Sequence, residues 1–391
     1  MKPVVIVGTG LSGYTTAREF RKHDHETPLV ILSADDGTSY SKPMLSNSMA
    51  RGKTPDALAQ ASAQAMAEEL NAEIRTHTRV TELDAERRAL ALGDGSTLEA
   101  GRIVLGIGAT QADPALEGDG VADVFAVNDL DAYAQVRESL GHARRVVLIG
   151  GGLIGCEFAN DWVKAGYEVT VIEPLDYPLG RMLPPVAGES LRSALEQAGI
   201  RVLTGRAARA VERAGDGLIV IDDRGERHPA DVAVRAIGLR PRTTLAERAG
   251  LRIHRAIVVD RALETSAPGI HALGDCAEVD GLWLPFILPI NQCARALGRT
   301  LAGERTEVQY PVMTVIVKTP CCPVQLYPPP AGLAGEWQEV RVEGGVRSRF
   351  LDAAGRLRGF ALTGAAVTEK AALAKEAPTY FENRAGIPPG E

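Results

Sequence analysis

Positive charge is in short supply in this chain. Its 43 Lys and Arg are outnumbered by 50 Asp and Glu, giving a formal net charge of −7 over 391 residues, and no long basic block breaks the pattern. That balance argues against non-specific binding to nucleic acid or to an anionic membrane surface. Long apolar runs are missing as well. The longest uncharged stretch of that kind, 281–294, is interrupted by Pro285 and Pro289, and it falls short of the roughly 18–20 residues needed to cross a bilayer. No small-residue cleavage site precedes Arg18, Glu19 and Arg21, so the apolar start is read as a strand, not a signal peptide. Cysteine is rare too. Cys156, Cys276, Cys293, Cys321 and Cys322 are odd in number and contain no C-x-x-C and no metal-type spacing, which excludes a disulfide framework or zinc site and fits a reducing cytosol. Adjacent Cys321 and Cys322 would close only a strained ring, so they are read as buried or incidental thiols.

Glycine, by contrast, is plentiful at 41 residues, and two groups of it are ordered. At 4–13 the chain reads VVIVGTGLSG, a β-branched run that stops at Gly8-x-Gly10-x-x-Gly13. At 146–155 it reads VVLIGGGLIG, with Gly150, Gly152 and Gly155 at the same spacing. In such a motif glycine permits the tight turn, the close approach of main chain to a pyrophosphate, and close helix–strand packing. The following helix turns its N–H groups toward the phosphates. One copy is a weak signal; two copies, each between a Val/Ile run and an Ala-rich helical segment, point to two dinucleotides.

The pattern around the loops repeats as well. A helix at 14–22 and a strand at 28–33 complete a β-α-β unit. A polar loop at 37–52 leads to an amphipathic helix over 54–70, with Thr54-Pro55 and Asp56 as entry signals. Strands are expected at 74–83 and 88–98, with a hairpin at Gly93-Asp94-Gly95, and at 103–105 before Gly106-Ile107-Gly108-Ala109-Thr110. From Arg145 the order restarts: helix 156–165, strand 168–173, helix 187–198, strand 201–204, further strands to Asp222, and a return at 232–237 before Gly238-Leu239-Arg240-Pro241. The two glycine-bearing exits hold equivalent places, so the whole domain reads as duplicated. A strand at 257–260, the stretch TSAPGIHALGD at 265–275 and a helix over 289–302 follow. From Tyr310 the character is β, with two short strands around Gly344 and Gly355 in a small separate domain.

In this order the motifs resemble the two-dinucleotide-fold flavoprotein reductases of the glutathione-reductase-like class, with Ile270-His271-Ala272-Leu273-Gly274-Asp275 matching their Ile-x-Ala-x-Gly-Asp strand. The resemblance implies an α/β fold: two Rossmann-like FAD/NAD(P)-binding domains of three-layer ββα type plus a small C-terminal α+β domain. It places the FAD domain over 1–112 and 243–309, the NAD domain over 113–242 and the C-terminal domain over 310–391. FAD would be held non-covalently at the first loop and NADH would enter as cosubstrate at the second. Asp275 would accept hydrogen bonds from the ribityl chain, a role compatible with capping a helix. Ser33-Ala34-Asp35-Asp36, Tyr40-Ser41-Lys42-Pro43-Met44-Leu45-Ser46, Lys318-Thr319-Pro320 and the Tyr-Pro-Pro-Pro run at 327–330 narrow the similarity to bacterial rubredoxin–NAD reductases, along essentially the whole chain. Lys42 then stands where related peroxidases, oxidases and coenzyme A-disulfide reductases carry a redox cysteine, which leaves no thiol there for a disulfide or peroxide.

Carried over residue by residue, the resemblance implies a cofactor-binding set of Gly8, Gly10, Leu11, Ser12, Gly13, Ser33, Asp35, Lys42, Pro43, Val80, Ala109, Asp275, Pro289, Ile290, Gly150, Gly152, Leu153, Ile154, Gly155, Glu173, Arg181, Gly238 and Lys318. One departure stands out: the second strand ends in Ser33 where the family usually has an acid for the adenosine ribose, so either Ser33 or Asp35 holds it. Glu173, 18 positions after Gly155, suits the ribose of NAD and repels a 2′-phosphate. Pro174 and Leu175 bring no cation and Arg181 is farther along, so NADH is expected over NADPH. Without the glycine spacing Glu173 would pass for an ordinary strand-end acid, and Lys42 for a surface lysine. The family places Lys42 near flavin N5, where a cation favours electron uptake, and turns Glu157 to the same crevice, so Lys42 and Glu157 form the expected catalytic pair. No histidine is assigned, and no metal.

The implied chemistry is a hydride from NADH to flavin N5, then two single electrons to the iron of rubredoxin. Rubredoxins are acidic by family resemblance, which nominates Arg51, Lys53, Arg295 and Lys318 as local positive charge for docking. The chain is expected to act as a monomer, without nucleic acid or membrane insertion. Two other readings stay open: NADH-dependent reduction of a ferredoxin or a flavorubredoxin, and a redox-sensing FAD/NADH-binding protein.

Overall fold

The first Val/Ile run forms the strand Val4–Val7, with all four residues buried. Apolar character on both faces is what a central parallel strand requires. In the computed structural model it lies mid-sheet among five parallel strands, ordered Ile270–Ala272, Arg102–Leu105, Val4–Val7, Leu29–Leu32 and Glu73–Arg75. Residues 1–384 are described; positions 385–391, the end of the expected C-terminal domain, lie outside them. By its contacts the chain divides into two units, the first comprising Met1–Lys42, Asp56–Thr110 and Leu239–Tyr310, the second Pro43–Pro55, Gln111–Gly238 and Pro311–Glu391.

Within the first unit the helix Leu11–Arg21 follows the glycine loop directly. The helix Ile287–Leu301 packs along it so closely that a Cβ on Gly298 would stand 2.7 Å from the carbonyl carbon of Glu19. The antiparallel strands Val80–Asp84, Ala89–Leu92 and Thr97–Glu99 form a separate three-stranded sheet. The long helix expected over 54–70 begins only at Ala63. Its first half instead holds a short 3-10 turn and the strand Ala59–Ala61, paired with Ser39–Tyr40. Ser62 explains the late start, because its hydroxyl accepts from the Ala65 N–H and caps the helix.

The second unit repeats the plan. Four parallel strands run in the order Arg201–Thr204, Glu168–Glu173, Arg145–Ile149 and Val232–Arg235. The antiparallel strands Ala208–Ala214, Gly217–Asp222 and Arg227–Ala230 again form a three-stranded sheet. Val211, Leu218, Val220 and Ala230 of that sheet bury themselves against Val147, Ile149, Ile172 and Ala233 of the parallel one, so this layer is the inner wall of the domain core.

The C-terminal part is a five-stranded antiparallel sheet, ordered Val315–Val317, Val324–Tyr327, Leu357–Gly364, Gly345–Asp352 and Gly335–Val342. Its last three strands are eight residues long, not the short strands expected. Their shared face packs on the helix Pro185–Gln197, whose N-cap, Pro184, offers no side-chain cap. Glu339 supplies one from far along the chain, its two carboxylate oxygens accepting from the Val186 and Ala187 N–H groups at 3.0 Å each. Among the described residues no helix is long and apolar enough to cross a membrane.

Candidate functional site

The glycines of the first loop divide into two kinds. A Cβ on Gly8, at φ +111°, would come within 2.4 Å of the Gly106 carbonyl oxygen, and one on Gly13 within 1.9 Å of the Gly8 carbonyl oxygen. Protein backbone therefore demands these two. A Cβ on Gly10 would meet nothing within 4 Å. Gly10 is also the N-cap of Leu11–Arg21 and places no side chain over the helix's unpaired N–H groups. An open approach to free N–H donors at a helix start is what an anionic pyrophosphate uses. Leu11 is 37% exposed at the rim, and Ser12 is buried with its hydroxyl on the Gly106 carbonyl.

At the end of the second strand Ser33 is buried and hydrogen-bonded to both Thr9 and Asp35. Asp35 also accepts from the Gly37 N–H at 2.9 Å. The expected acid is thus replaced by a hydroxyl pair plus a carboxylate two residues on, with Thr9 as a partner not foreseen. Gly274 brings the returning strand onto the loop, since a Cβ there would stand 2.9 Å from Ser12 Cβ and 3.9 Å from Ile290. Asp275 follows it. Burial raises its carboxyl pKa, with the Lys42 charge opposing, and the Trp283 indole N–H holds its backbone carbonyl at 2.9 Å. Pro289 and Ile290 are buried in the first turns of their helix, Ala109 is buried, and Val80 opens its strand half-buried. Lys42 is exposed.

The second loop has the same division. Cβ atoms on Gly150, at φ +108°, and on Gly155 would stand 2.7 Å from the Ala236 and 2.0 Å from the Gly150 carbonyl oxygens, whereas Gly152 has nothing nearer than 3.9 Å. Gly152 is again an N-cap without a side-chain cap, here for Leu153–Lys164. Ile154 is 39% exposed and Leu153 half-buried beside it. Glu173 is 7% exposed and already holds two main-chain donors, Gly151 N–H at 2.6 Å and Leu175 N–H at 2.9 Å. A carboxylate accepts about four hydrogen bonds, so lone pairs remain for ribose hydroxyls. Arg181 is exposed in the following turn, and Gly238, at φ +110°, ends the last strand's exit.

One turn into the second-loop helix Glu157 is 1% exposed, and within its own unit it forms an ion pair with Lys318 at 2.6 Å. The Lys318 main-chain N–H donates to its other oxygen at 2.9 Å, and Ser46 donates at 2.5 Å. The Lys318 ammonium also reaches the Ser46 hydroxyl at 2.9 Å and the Pro43 carbonyl. The reason is packing: this helix lies against the strand Val315–Val317, which delivers residue 318 at its end. Lys318, one of the candidate docking charges, is thus paired with Glu157, with 31% of its side chain exposed. Arg51, Lys53 and Arg295 are exposed.

Of the two adjacent thiols, Cys322 is buried and Cys321 half-buried. Burial raises the pKa of Cys321 and Cys322, which disfavours the reactive thiolate. Asp222, Glu226 and His228 come together, but the Arg206 guanidinium pairs with both carboxylates. Sequence reasoning missed Ser46, Asp161 and Glu339. Ser46 was visible in the Lys-Pro-Met-Leu-Ser stretch, and Asp161 lies four residues after Glu157, on the same helix face; Glu339 had no local signal.

Residues 2–298 match the family model described as pyridine nucleotide-disulphide oxidoreductase, and residues 307–377 match that of a rubredoxin binding C-terminal domain. The chain is 48% identical over 383 residues to a rubredoxin–NAD(+) reductase from Alcanivorax borkumensis, covering 97% of this chain and 100% of that one. It is 41% identical over 372 residues to a rubredoxin–NAD(+) reductase from Acinetobacter baylyi, covering 93% and 95%. In fold it is similar to the ferredoxin reductase of the CYP199A2 system from Rhodopseudomonas palustris, with a TM-score of 0.86 at 24% identity over 100% of this chain and 98% of that one. With its two open glycine cradles and this match along nearly its whole length, the chain belongs to the pyridine nucleotide-disulphide oxidoreductase family, among the rubredoxin–NAD(+) reductases.

Proposed function

We infer that this chain is an NADH:rubredoxin oxidoreductase working with non-covalent FAD. The observation that carries the reading is the open space at Gly10 and Gly152, each between two glycines that backbone contacts enforce. A structural turn needs the outer glycines; only a close ligand needs the middle one. The FAD domain is taken as 1–112 with 243–309, the NAD domain as 113–242 and the acceptor domain as 310–391.

In this reading the N–H groups after Gly10 bind the FAD pyrophosphate, Asp35 with Ser33 and Thr9 binds its adenosine ribose, and Asp275 takes the ribityl hydroxyls. Glu173 binds the ribose of NADH and disfavours a 2′-phosphate. FAD, when bound, supplies the two-to-one electron conversion between a hydride donor and a one-electron iron protein. Lys42 contributes fixed positive charge beside it, and Glu157 holds Lys318 and Ser46 in place. Rubredoxin is favoured over ferredoxin by the match at 307–377 and by both relatives.

The test is an anaerobic panel of purified carriers with NADH. Oxidation of one NADH for every two rubredoxins reduced, with ferredoxins and disulfides slow, is the expected result. A chain that reduces only ferredoxins, or whose reduced flavin ignores every carrier, overturns the assignment. Lys42→Met should lower the flavin potential and slow reduction by NADH.

A further inference from the structure

The segment Pro43–Pro55 follows Lys42 directly yet is tied down throughout by other parts of the second unit. Lys318 binds the Pro43 carbonyl, Ser46 bridges Lys318 and Glu157, and Ser48 pairs with the Tyr133 hydroxyl, both fully buried. Arg137 donates to the Lys53 carbonyl at 2.8 Å and to the Tyr133 hydroxyl at 3.2 Å. At the centre is Asp161, 6% exposed, whose two oxygens accept from the Met49 N–H at 2.9 Å and the Ala50 N–H at 3.1 Å.

Burying a carboxylate to hold a loop is unfavourable chemistry. Water satisfies the N–H groups of a surface loop without desolvating a charge, and burial holds the Asp161 carboxyl above its ordinary pKa, although the Ala50 and Met49 N–H groups, and after them Arg137 and Arg51, oppose this. What the arrangement supplies is orientation. Two acceptors on one rigid carboxylate fix two consecutive peptide planes, and these lie three and four residues beyond Ser46.

We propose that Asp161 is a positioning residue for flavin reduction by NADH: by clamping Met49 and Ala50 it keeps Ser46 in register with Glu157 and Lys318, and so fixes the chain that follows Lys42. The proposal rests on the FAD/NADH reading above. Asn in place of Asp161 retains one good acceptor and turns an NH2 toward the second N–H, so the clamp loosens while the volume is kept. The loosened clamp is expected to lower the limiting rate of flavin reduction about tenfold. The loop does not form the second glycine cradle, so the half-saturating NADH concentration is expected to stay within about twofold.

The test uses the full chain loaded with FAD, mixed anaerobically with increasing NADH in a stopped-flow instrument, with the flavin midpoint potential measured by dye equilibration. Asp161→Asn should slow the limiting rate, leave half-saturation in place and shift the potential. Ser46→Ala, which removes the bridge without touching the clamp, should change the same two quantities in the same direction. A variant that folds and binds FAD but shows wild-type limiting rate and potential overturns the proposal, even if its melting temperature falls. Should Asp161→Asn fail to fold, an unchanged Ser46→Ala overturns it alone. Wild-type flavin that NADH does not reduce would instead sink the functional reading.

Discussion

Glu157 and Lys318 offer a prediction whose size follows from their burial. The carboxylate is 1% exposed and the lysine side chain 31%, with 2.6 Å between them. Lys318→Met leaves the carboxylate with the Ser46 hydroxyl and one main-chain N–H but no countercharge. Removing one partner of a buried pair costs about 3–5 kcal/mol, and the partial exposure of the lysine places this case nearer about 2–3 kcal/mol. Glu157→Gln keeps an acceptor and a donor in place, and the stranded ammonium retains Ser46, Pro43 and some water, so about 1 kcal/mol is expected. In the double variant no charge is left, and its loss should fall well below the sum, giving a coupling of about 1–2 kcal/mol. Urea unfolding at fixed, saturating FAD measures all four corners, with ligand held constant so that binding does not mask the differences. Additivity within about 0.5 kcal/mol would refute the view that these residues act as one buried pair.

Gly10→Ala should fold and melt like wild type as the apoprotein but lose FAD affinity by roughly tenfold or more, since a methyl group takes the space a pyrophosphate needs; Gly13→Ala, with a Cβ 1.9 Å from a carbonyl oxygen, should fail to fold stably. Equal FAD affinity in Gly10→Ala, read by fluorescence titration, would refute the cradle. Glu173→Gln should cost about tenfold in kcat/KM for NADH without a comparable gain for NADPH, because the side chain also holds Gly151 and Leu175; steady-state kinetics with both nucleotides decides. His271 is 2% exposed, and burial pushes its pKa from the ordinary 6.5 to about 4. The unfolded chain therefore binds the proton more readily, so stability is full above about pH 6.5 and falls toward pH 4, by roughly 3 kcal/mol over that span. His271→Leu should flatten the change in urea midpoint between pH 7.5 and 5, and an unchanged slope would count against it.

Much of the fold was legible because it depends on local rules. Val4–Val7, Glu168–Glu173 and Arg201–Thr204 announce themselves as apolar or β-branched runs against glycine, and the duplicated glycine spacing carries both cradles. The 54–70 stretch misled because its Ala-rich composition is helical by propensity, while pairing of Ala59–Ala61 with Ser39–Tyr40, some twenty residues away, is not encoded locally. Glu157 was found, but its contact with Lys318 was not. Lys42 was chosen by resemblance; Lys318 arrives 161 positions later by strand packing, which no periodicity reveals. Glu339 capping a helix 153 positions earlier is hidden for the same reason.

The two cradles share their glycines but differ in what closes them, and that difference bears on which dinucleotide stays. In the first unit the returning segment folds back on the loop helix, with Gly274 against Ser12 and Gly298 against Glu19, and it brings Asp275 and Ile290 over the helix start. In the proposed reading a cofactor seated there would lie between the glycine loop and the returning segment. In the second unit the corresponding helix spends its inner face on the protein itself: Glu157 on Lys318 and Ser46, Asp161 on Met49 and Ala50. In the proposed reading this leaves the nucleotide the loop and Glu173, whose carboxylate already accepts from two main-chain donors. In the proposed reading, a resident FAD and an exchanging NADH follow from this asymmetry: the same motif retains its ligand where the chain returns to cover it, and releases it where the helix is committed elsewhere.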